Sequence, residues 1–241
     1  GKFNPETGER LDENQDGQPL RFQDVFGETL LELAESNPNI VGVTPAMPTG
    51  CSMNIMMKKY PKRTFDVGIA EGHAVTFSAG MAKDGLLPFC NIYSAFAQRS
   101  YDNIIHDVAI GKLNVVLCFD RAGLVGEDGA THHGCYDISA YRSIPGAIIA
   151  APKDEIELKD MMYSAMLSEA GPYIIRYPRG YGEGTEWTTH EFTELVPGKG
   201  EMLLGGKEIA VIACGPSANR AVEAAQAFKK KNGWNPTIYN I

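Results

Sequence analysis

Cysteine is scarce in this 241-residue sequence, and its few cysteines are scattered without a CxxC pair. The five are Cys51, Cys90, Cys118, Cys135 and Cys214. An odd and scattered set argues against a disulfide framework and against a structural zinc site. We therefore expect a reducing compartment.

The sequence also lacks long apolar runs, an excess of basic residues and a targeting segment. No apolar run reaches the roughly 18 to 20 residues of a membrane span. Lysine and arginine number 22 against 30 aspartates and glutamates, a formal net charge of −8, which argues against non-specific binding to nucleic acid or anionic membranes. The polar residues 1–18 have no signal or transit character. Because the chain is acidic overall, a phosphate site must be formed by a few basic residues at one place.

Glycine is abundant, with 26 residues, and apolar segments of two kinds alternate along the chain. Helical spacing of apolar residues predicts helices, and short apolar runs predict strands. The strands are predicted at 40–43, 64–67, 87–93, 114–119, 147–151 and 173–177, and the helices at 22–33, 53–60, 95–112 and 154–167, with one more carrying Glu71. This alternation predicts a doubly wound α/β fold, a mainly parallel sheet with helices on both faces.

The composition predicts four segments. Residues 1–20 read as a linker, 21–181 as the α/β domain, 182–207 as a second linker, and 208–241 as the incomplete beginning of another α/β domain. A strand, a helix and a strand are too little for an independent domain. We expect the chain to be trimmed at both ends.

Glu71 is the only formally charged side chain between Val67 and Ala82. One interpretation is a solvated acid in the first turn of a helix, where the helix dipole favours it. The small and apolar neighbours favour another: a poorly hydrated carboxylate must find a donor or take up a proton. No lysine or arginine lies nearby in sequence, so a ligand could be that donor.

Ligands bind beyond the carboxyl ends of parallel strands, and the loops after the predicted strands carry polar and aromatic side chains there. Tyr93 and Phe96 are either core aromatics or platforms for a flat ring. Arg121 and Arg179 form either weak surface ion pairs or a site for a phosphate or carboxylate. Together they favour a phosphorylated substrate.

The loop from Glu127 to Gly134 contains two histidines and two acids. A metal site is the weaker interpretation, because adjacent histidine side chains diverge and no third ligand recurs at helical spacing. A histidine acting as proton donor in a polar pocket is the stronger one.

Four segments together resemble one enzyme family. They are FDVGIAEGHAVTFSAGMA, NIYSAFAQRSYDNIIHDVAI, CFDRAGLVGEDGATHHG and IIRYPRG. The set is similar to the 1-deoxy-D-xylulose-5-phosphate synthases, which are thiamine-diphosphate enzymes of the transketolase superfamily. Transketolases and the β subunits of 2-oxoacid dehydrogenases share the glutamate helix, but the DRAG, DGATHxG and RYPRG combination is specific to the synthases.

The resemblance implies a transferase that decarboxylates pyruvate and joins the product to glyceraldehyde 3-phosphate, giving the isoprenoid and thiamine precursor 1-deoxy-D-xylulose 5-phosphate. It implies thiamine diphosphate and Mg²⁺, the latter held by a GDG motif and an asparagine in a preceding domain. No equivalent motif occurs here, so the chain corresponds to the pyrimidine-binding domain and the start of the carboxyl-terminal domain. Alone, it is expected to be inactive.

The family's cofactor-binding residues carry over by position. Glu71 would be catalytic and would hydrogen-bond the pyrimidine ring of the cofactor. Phe96 would stack on that ring, and Tyr93 would contact both cofactor and substrate. His73 is a further pocket candidate.

The substrate-binding residues carry over in the same way. Arg121 and Arg179 would hold the substrate phosphate together with Tyr93. His132 would be catalytic in proton transfer, and Asp128 would contact the substrate hydroxyl groups. No residue is assigned to a metal.

The sequence departs from the family at Gly72, where the family usually has glutamine, and His133 receives no role. The expected partners are pyruvate, glyceraldehyde 3-phosphate, the amino-terminal domain of the same polypeptide and a second copy in a homodimer, without nucleic acid or membrane. The expected location is the bacterial cytoplasm or the plastid stroma. Two alternatives stay open: a β-type subunit of a 2-oxoacid dehydrogenase, and a non-catalytic binding or dimerisation fragment.

Overall fold

The computed structural model describes residues 3–9, 17–169 and 171–241. The predicted linker 1–20 therefore lies partly outside the described residues, at 1, 2 and 10–16. The strands of the larger sheet are β1 Ile40–Thr44, β2 Thr64–Asp66, β3 Leu87–Tyr93, β4 Val116–Asp120, β5 Ile148–Ala150 and β6 Tyr173–Arg176.

The larger sheet is parallel throughout, in the order β2-β1-β3-β4-β6-β5. Two of its interior strands, β1 and β4, are buried along their whole length, as expected of a parallel sheet covered on both faces. The predicted fold class is confirmed. Because β1 lies between β2 and β3, the chain reverses its direction of travel across the sheet there, and ligands bind at such a point in this class of fold.

Helices cover both faces of the larger sheet. They are α1 Phe22–Ser36, α2 Asn54–Lys59, α3 Glu71–Lys83, α4 Ser94–Ala97, α5 Tyr101–Asn103, α6 Asp137–Tyr141 and α7 Glu155–Leu167. One buried cluster joins α1 and α7 to the sheet, and a second joins α3 and residues 97–108 to its other face. Within the described residues, no helix has the length and apolar character needed to cross a bilayer.

The helix predicted at 95–112 is interrupted. The segment passes from α4 through a 3₁₀ turn at Gln98–Ser100 and α5 into a π-helix at Ile104–Ala109. Ala97, Ile104 and Val108 are buried across these changes, and the apolar spacing of so short a segment does not separate the three helical forms. Short π-helical segments frequently accompany functional sites.

A second, smaller sheet follows. Its strands are β7 Glu201–Leu204, β8 Ala210–Ala213 and β9 Thr237–Asn240, in the order β7-β9-β8, and α8 Ser217–Asn232 connects the last two. β8 and β9 are parallel, whereas β7 is antiparallel to β9. β7 therefore belongs to this sheet although it lies inside the predicted linker 182–207, because its pairing partner is distant in sequence. The division into domains stays a prediction.

Candidate functional site

A cavity of about 400 Å³ lies at the carboxyl ends of β1, β2 and β3. It is lined by Pro45, Ala46, Met47, Ile69, Glu71, Phe96 and Arg99. The loops after three neighbouring parallel strands form its walls, because the carboxyl ends of such strands meet at one edge. The sequence analysis placed two of these side chains, Glu71 and Phe96, at this edge.

Glu71 is the first residue of α3, and only 5% of it is exposed. Within the described residues, its carboxylate makes no hydrogen bond and no ion pair. A buried carboxylate without a hydrogen-bond donor is costly in free energy, so Glu71 is suited to accept a hydrogen bond from a ligand. The interpretation of Glu71 as a solvated surface acid does not fit this burial.

Phe96 begins a stack of flat groups that leads away from the cavity. Its ring lies 5.6 Å from the Tyr93 ring, with an interplanar angle of 22°. The Arg121 guanidinium carbon lies 4.1 Å from the centre of the Tyr93 ring, a cation–π distance. Burial raises the pKa of Tyr93 to about 12, so its hydroxyl stays a hydrogen-bond donor at neutral pH.

Arg121 is buried against Asp120, its neighbour in sequence. Arg121 Nη1 donates to Asp120 Oδ2 at 2.5 Å and to the Gly50 carbonyl at 2.8 Å, and its backbone N–H donates to Asp120 Oδ1 at 2.6 Å. The positive φ of 60° at Arg121 allows this return of the side chain. Burial raises the pKa of Asp120 to about 7, although Arg121 opposes the shift. Nε of Arg121 is buried and has no partner among the described residues.

The loop 123–134 carries two further predicted residues. Gly123 and Gly134 close it with two reciprocal backbone hydrogen bonds of 2.9 and 2.8 Å. His132 meets the Phe96 ring edge-on at 5.1 Å, and its Nδ1 lies 2.9 Å from the Thr131 hydroxyl. The histidine therefore lies at the side of the aromatic ring that lines the cavity.

Arg179 is engaged by this same loop. Its Nε lies 3.1 Å from Asp128 Oδ2, and its Nη2 lies 3.6 Å from Glu127 Oε2. Neither Arg179 nor Asp128 lines the cavity. Both predicted phosphate-binding arginines thus contact carboxylates of the chain, and a phosphate would compete with those carboxylates for the two guanidinium groups.

The remaining histidines lie outside the cavity. His73 is exposed and stacks on Phe77 at 5.8 Å. Nδ1 of His133 accepts a hydrogen bond from the backbone of Val125 at 3.2 Å. In the described part of the chain, no three His, Cys, Asp or Glu side chains are grouped so that they could hold a metal ion.

Three residues that line the cavity had no role predicted from the sequence: Met47, Ile69 and Arg99. Ile69 is 87% exposed, an unusual position for a large apolar side chain, and the Arg99 guanidinium carbon lies 5.9 Å from the centre of the Phe96 ring. The turn sequence after the strand at 40–43 could have indicated Met47, since that loop shares the edge with Glu71.

Comparisons with known proteins identify the family of the chain. The sequence model of the family described as "Transketolase, pyrimidine binding domain" matches residues 18–183. The chain is 61% identical over its whole length to a 1-deoxy-D-xylulose-5-phosphate synthase of Bacteroides thetaiotaomicron, and 62% identical to the synthase of Bacteroides fragilis. It spans 37% of the length of each of these two proteins.

Solved structures are similar in fold. A structure described as a split-gene transketolase, an inactive β4 tetramer, superposes with a TM-score of 0.80 at 26% identity, covering 92% of this chain and 71% of that one. The transketolase of Campylobacter jejuni superposes with a TM-score of 0.79 at 20% identity, covering 93% of this chain and 36% of that one. The second likeness concerns the fold alone.

Proposed function

The chain belongs to the transketolase pyrimidine-binding domain family, whose model covers residues 18–183, and on that premise we propose that its cavity binds the pyrimidine ring of thiamine diphosphate. The observation that carries the proposal is the buried Glu71 carboxylate, which has no partner in the described chain. A ring nitrogen and an amino group are the kind of complement that such a carboxyl needs. Phe96, on the same wall, offers a face for stacking.

We further propose that the complete enzyme decarboxylates pyruvate and joins the product to glyceraldehyde 3-phosphate, giving 1-deoxy-D-xylulose 5-phosphate. The 61% and 62% identities to enzymes of that name support this choice over other thiamine-dependent reactions. Bound thiamine diphosphate supplies the electron sink for the decarboxylation, and the protein supplies orientation and electrostatics. Glu71 would orient the cofactor ring and set its protonation by hydrogen bonding.

Arg121 and Arg179 would hold the substrate phosphate, with the Tyr93 hydroxyl as a third donor. Arg121 retains unused capacity, because within the described residues only Nη1 of its guanidinium makes hydrogen bonds. A guanidinium has five N–H donors in a planar fork suited to phosphate. Arg179 would exchange its contacts with Glu127 and Asp128 for the phosphate.

His132 would move protons at the substrate oxygens, and Asp128 would accept a hydrogen bond from a substrate hydroxyl. Both lie on the loop 123–134, and the contact of His132 with Phe96 keeps its ring beside the cavity. An imidazole suits this role because one ring nitrogen can donate a proton while the other accepts one.

Mg²⁺, the amino-terminal domain and a homodimer belong to the same proposal, as does the cytoplasm as location. The described chain has no metal-binding group of its own, so it would depend on other residues for the diphosphate and its metal. We propose that the 241 residues alone are inactive. The split-gene transketolase, whose solved form is described as an inactive β4 tetramer, supports this.

The decisive experiment compares Glu71→Gln with Glu155→Gln in the complete polypeptide that carries this sequence. Glu155 is the matched control: it is also a buried first residue of a helix, but Gly184 and Thr185 satisfy its carboxylate at 2.8 and 3.0 Å. We expect Glu71→Gln to lower thiamine-dependent CO₂ release from pyruvate at least about 100-fold, and Glu155→Gln to retain it. Normal turnover in Glu71→Gln would refute the assignment.

A β-type subunit of a 2-oxoacid dehydrogenase is the second candidate, since a chain of this family can depend on a separate partner chain, as the split-gene transketolase indicates. The two candidates differ in the molecule that accepts the product of pyruvate decarboxylation. Consumption of pyruvate that requires glyceraldehyde 3-phosphate supports the synthase, whereas consumption without a phosphorylated aldehyde supports the dehydrogenase subunit.

A further inference from the structure

The two loops that form one side of the cavity leave the sheet side by side. Pro45, Ala46 and Met47 follow β1, and Ile69 and Glu71 follow β2. The parallel register pairs Thr44 with Asp66, the last residues of these strands. The width of the cavity therefore depends on how these two loops are held beyond the last paired residues of β1 and β2.

One carboxylate oxygen joins the two loops. Oδ1 of Asp66 accepts a hydrogen bond from the backbone N–H of Ala46 at 2.8 Å and another from the backbone N–H of Gly68 at 3.0 Å. A backbone bond from Val67 N–H to the Thr44 carbonyl, at 3.1 Å, also joins the two segments. Asp66 itself is exposed and does not line the cavity.

The two residues that donate to Asp66 both have left-handed backbones. Ala46 has a φ of 62° and Gly68 a φ of 72°. This region is unfavourable for alanine, which carries a Cβ. The loop after β1 therefore needs an external acceptor to hold Ala46 in this conformation, and Asp66 is the acceptor that the structure provides. Ala70, two residues beyond Gly68, precedes α3 and thus Glu71.

We infer that Asp66 is a positioning residue that holds the loops of residues 44–47 and 66–71 at the spacing in which the cavity receives its ring ligand. It acts through the backbones of Ala46 and Gly68 and touches no ligand. The inference rests on the proposed function, since the ring ligand is the pyrimidine of thiamine diphosphate. It adds a residue that neither the cavity lining nor the family resemblance assigns.

The test uses Asp66→Ala and Asp66→Asn in the complete polypeptide. Thiamine diphosphate binding is measured by calorimetry in the presence of Mg²⁺, beside kcat at saturating cofactor. We expect Asp66→Ala to raise Kd at least about tenfold, because both loop amides lose their acceptor, while kcat at saturation stays within about threefold of wild type. Asp66→Asn keeps an oxygen that can accept both bonds, and we expect its Kd within about threefold of wild type.

Asp66→Glu is a second variant that keeps the charge but moves the oxygen by one methylene, and it decides the question if Asp66→Ala does not fold. We expect it to weaken binding as alanine does. Wild-type affinity in Asp66→Ala overturns the inference; if Asp66→Ala does not fold, wild-type affinity in Asp66→Glu overturns it.

Asp154→Ala is the matched control. Asp154 caps α7, accepting the Glu157 N–H at 2.8 Å, and does not line the cavity. We expect it to lower Tm and leave Kd unchanged. An equal loss of affinity in Asp154→Ala would mean that the Asp66 variants bind weakly only because the protein is less stable, and it would overturn the inference. A wild-type protein that binds no thiamine diphosphate would instead overturn the proposed function, whatever the Asp66 variants do.

Discussion

The α-carbon of Gly72 packs against the side-chain amide of Asn103, so closely that a Cβ on Gly72 would lie 2.8 Å from Asn103 Oδ1. Asn103 Nδ2 in turn donates to Thr76 Oγ1 at 3.0 Å and to Asp107 Oδ2 at 3.3 Å. The amide is therefore fixed on the surface of α3. This contact packs the end of α5, just before the π-helix, against the first turn of α3, directly beside Glu71.

The contact between Gly72 and Asn103 predicts strong coupling between the two positions. Glycine to alanine inside a helix ordinarily stabilises a protein by up to about 1 kcal/mol. We expect Gly72→Ala to destabilise this chain by about 1 kcal/mol instead, because the new methyl group must displace a hydrogen-bonded amide. The free energy of unfolding in urea measures this effect.

Asn103→Ala supplies the other half of the double-mutant cycle. In that background the obstructing amide is absent, and we expect Gly72→Ala to stabilise the chain, giving a coupling energy of at least about 1 kcal/mol. Additive effects of the two substitutions would contradict the steric explanation. Gly72→Gln, which would introduce the residue that the resemblance implies at this position, should clash with Asn103 in the same way, because glutamine also has a Cβ.

Gly50 has a similar relation to Tyr93. A Cβ on Gly50 would lie 2.2 Å from the Tyr93 hydroxyl, so Gly50→Ala must push the ring out of its stack between Phe96 and Arg121. In the complete polypeptide, we expect the KM for the proposed substrate glyceraldehyde 3-phosphate to rise about fivefold to tenfold, the equivalent of about one lost hydrogen bond. Gly80→Ala is the control, since its Cβ would meet nothing within 4 Å; an equal rise in KM there would contradict the prediction.

Asp120 predicts an unusual pH dependence of stability. Burial raises the pKa of the folded Asp120 carboxyl to about 7 from an ordinary value of 3.8. Between about pH 4 and pH 7 the folded state therefore holds a proton that the unfolded state has lost, so the stability that this group contributes falls as pH rises. Above about pH 7 both states are ionised and the loss is complete.

Asp120→Asn removes this titration, so the difference in unfolding free energy between wild type and variant isolates it. Relative to Asp120→Asn, we expect the wild type to lose on the order of 3 kcal/mol of unfolding free energy between pH 4.5 and pH 7.5. Above that range the difference should stay constant. Urea unfolding across that range measures it. A difference that shifts toward the wild type with rising pH would mean that Arg121 keeps the folded carboxylate ionised.

The sequence predicted the elements of the larger sheet well, because their signals are local. The strand predicted at 87–93 agrees with β3 Leu87–Tyr93, and the helix predicted at 22–33 lies within α1 Phe22–Ser36. Short apolar runs buried on both faces and amphipathic helices leave distinct periodicities. The alternation of the two then leaves few alternatives to a parallel doubly wound sheet.

Pairings between distant residues were not predictable in this way. The contact of Arg179 with Asp128 and the pairing of β7 with β9 join residues far apart in the chain. α6, Asp137–Tyr141, went unpredicted in a polar loop because its position depends on Asp137, which accepts hydrogen bonds from Ser94 at 3.1 Å and Arg176 at 2.8 Å. Such contacts have no periodicity that a single sequence displays.

The segment predicted as a linker at 182–207 is packed onto α7. Trp187 is 7% exposed within the core cluster of α1 and α7. Phe192 stacks on Tyr163 at 5.0 Å. Asp160, on α7, accepts hydrogen bonds from His190 Nε2 at 3.0 Å and from the Thr193 backbone at 2.9 Å. These contacts predict that the segment stays folded and that Asp160 holds it.

Trp187 fluorescence in a Trp234→Phe background reports on this segment. We expect blue-shifted emission with little quenching by iodide, because a side chain this buried is shielded from water and ions.

Asp160→Ala leaves the Thr193 N–H and the His190 ring without their acceptor, which costs about 2 kcal/mol or more. We therefore expect a red shift, stronger quenching and a lower Tm. Glu194→Gln, an exposed neighbour, is the control and should change none of these. Red-shifted, readily quenched emission in the Trp234→Phe protein itself would mean that residues 182–207 behave as a linker, because a flexible linker does not shield the Trp187 side chain from water.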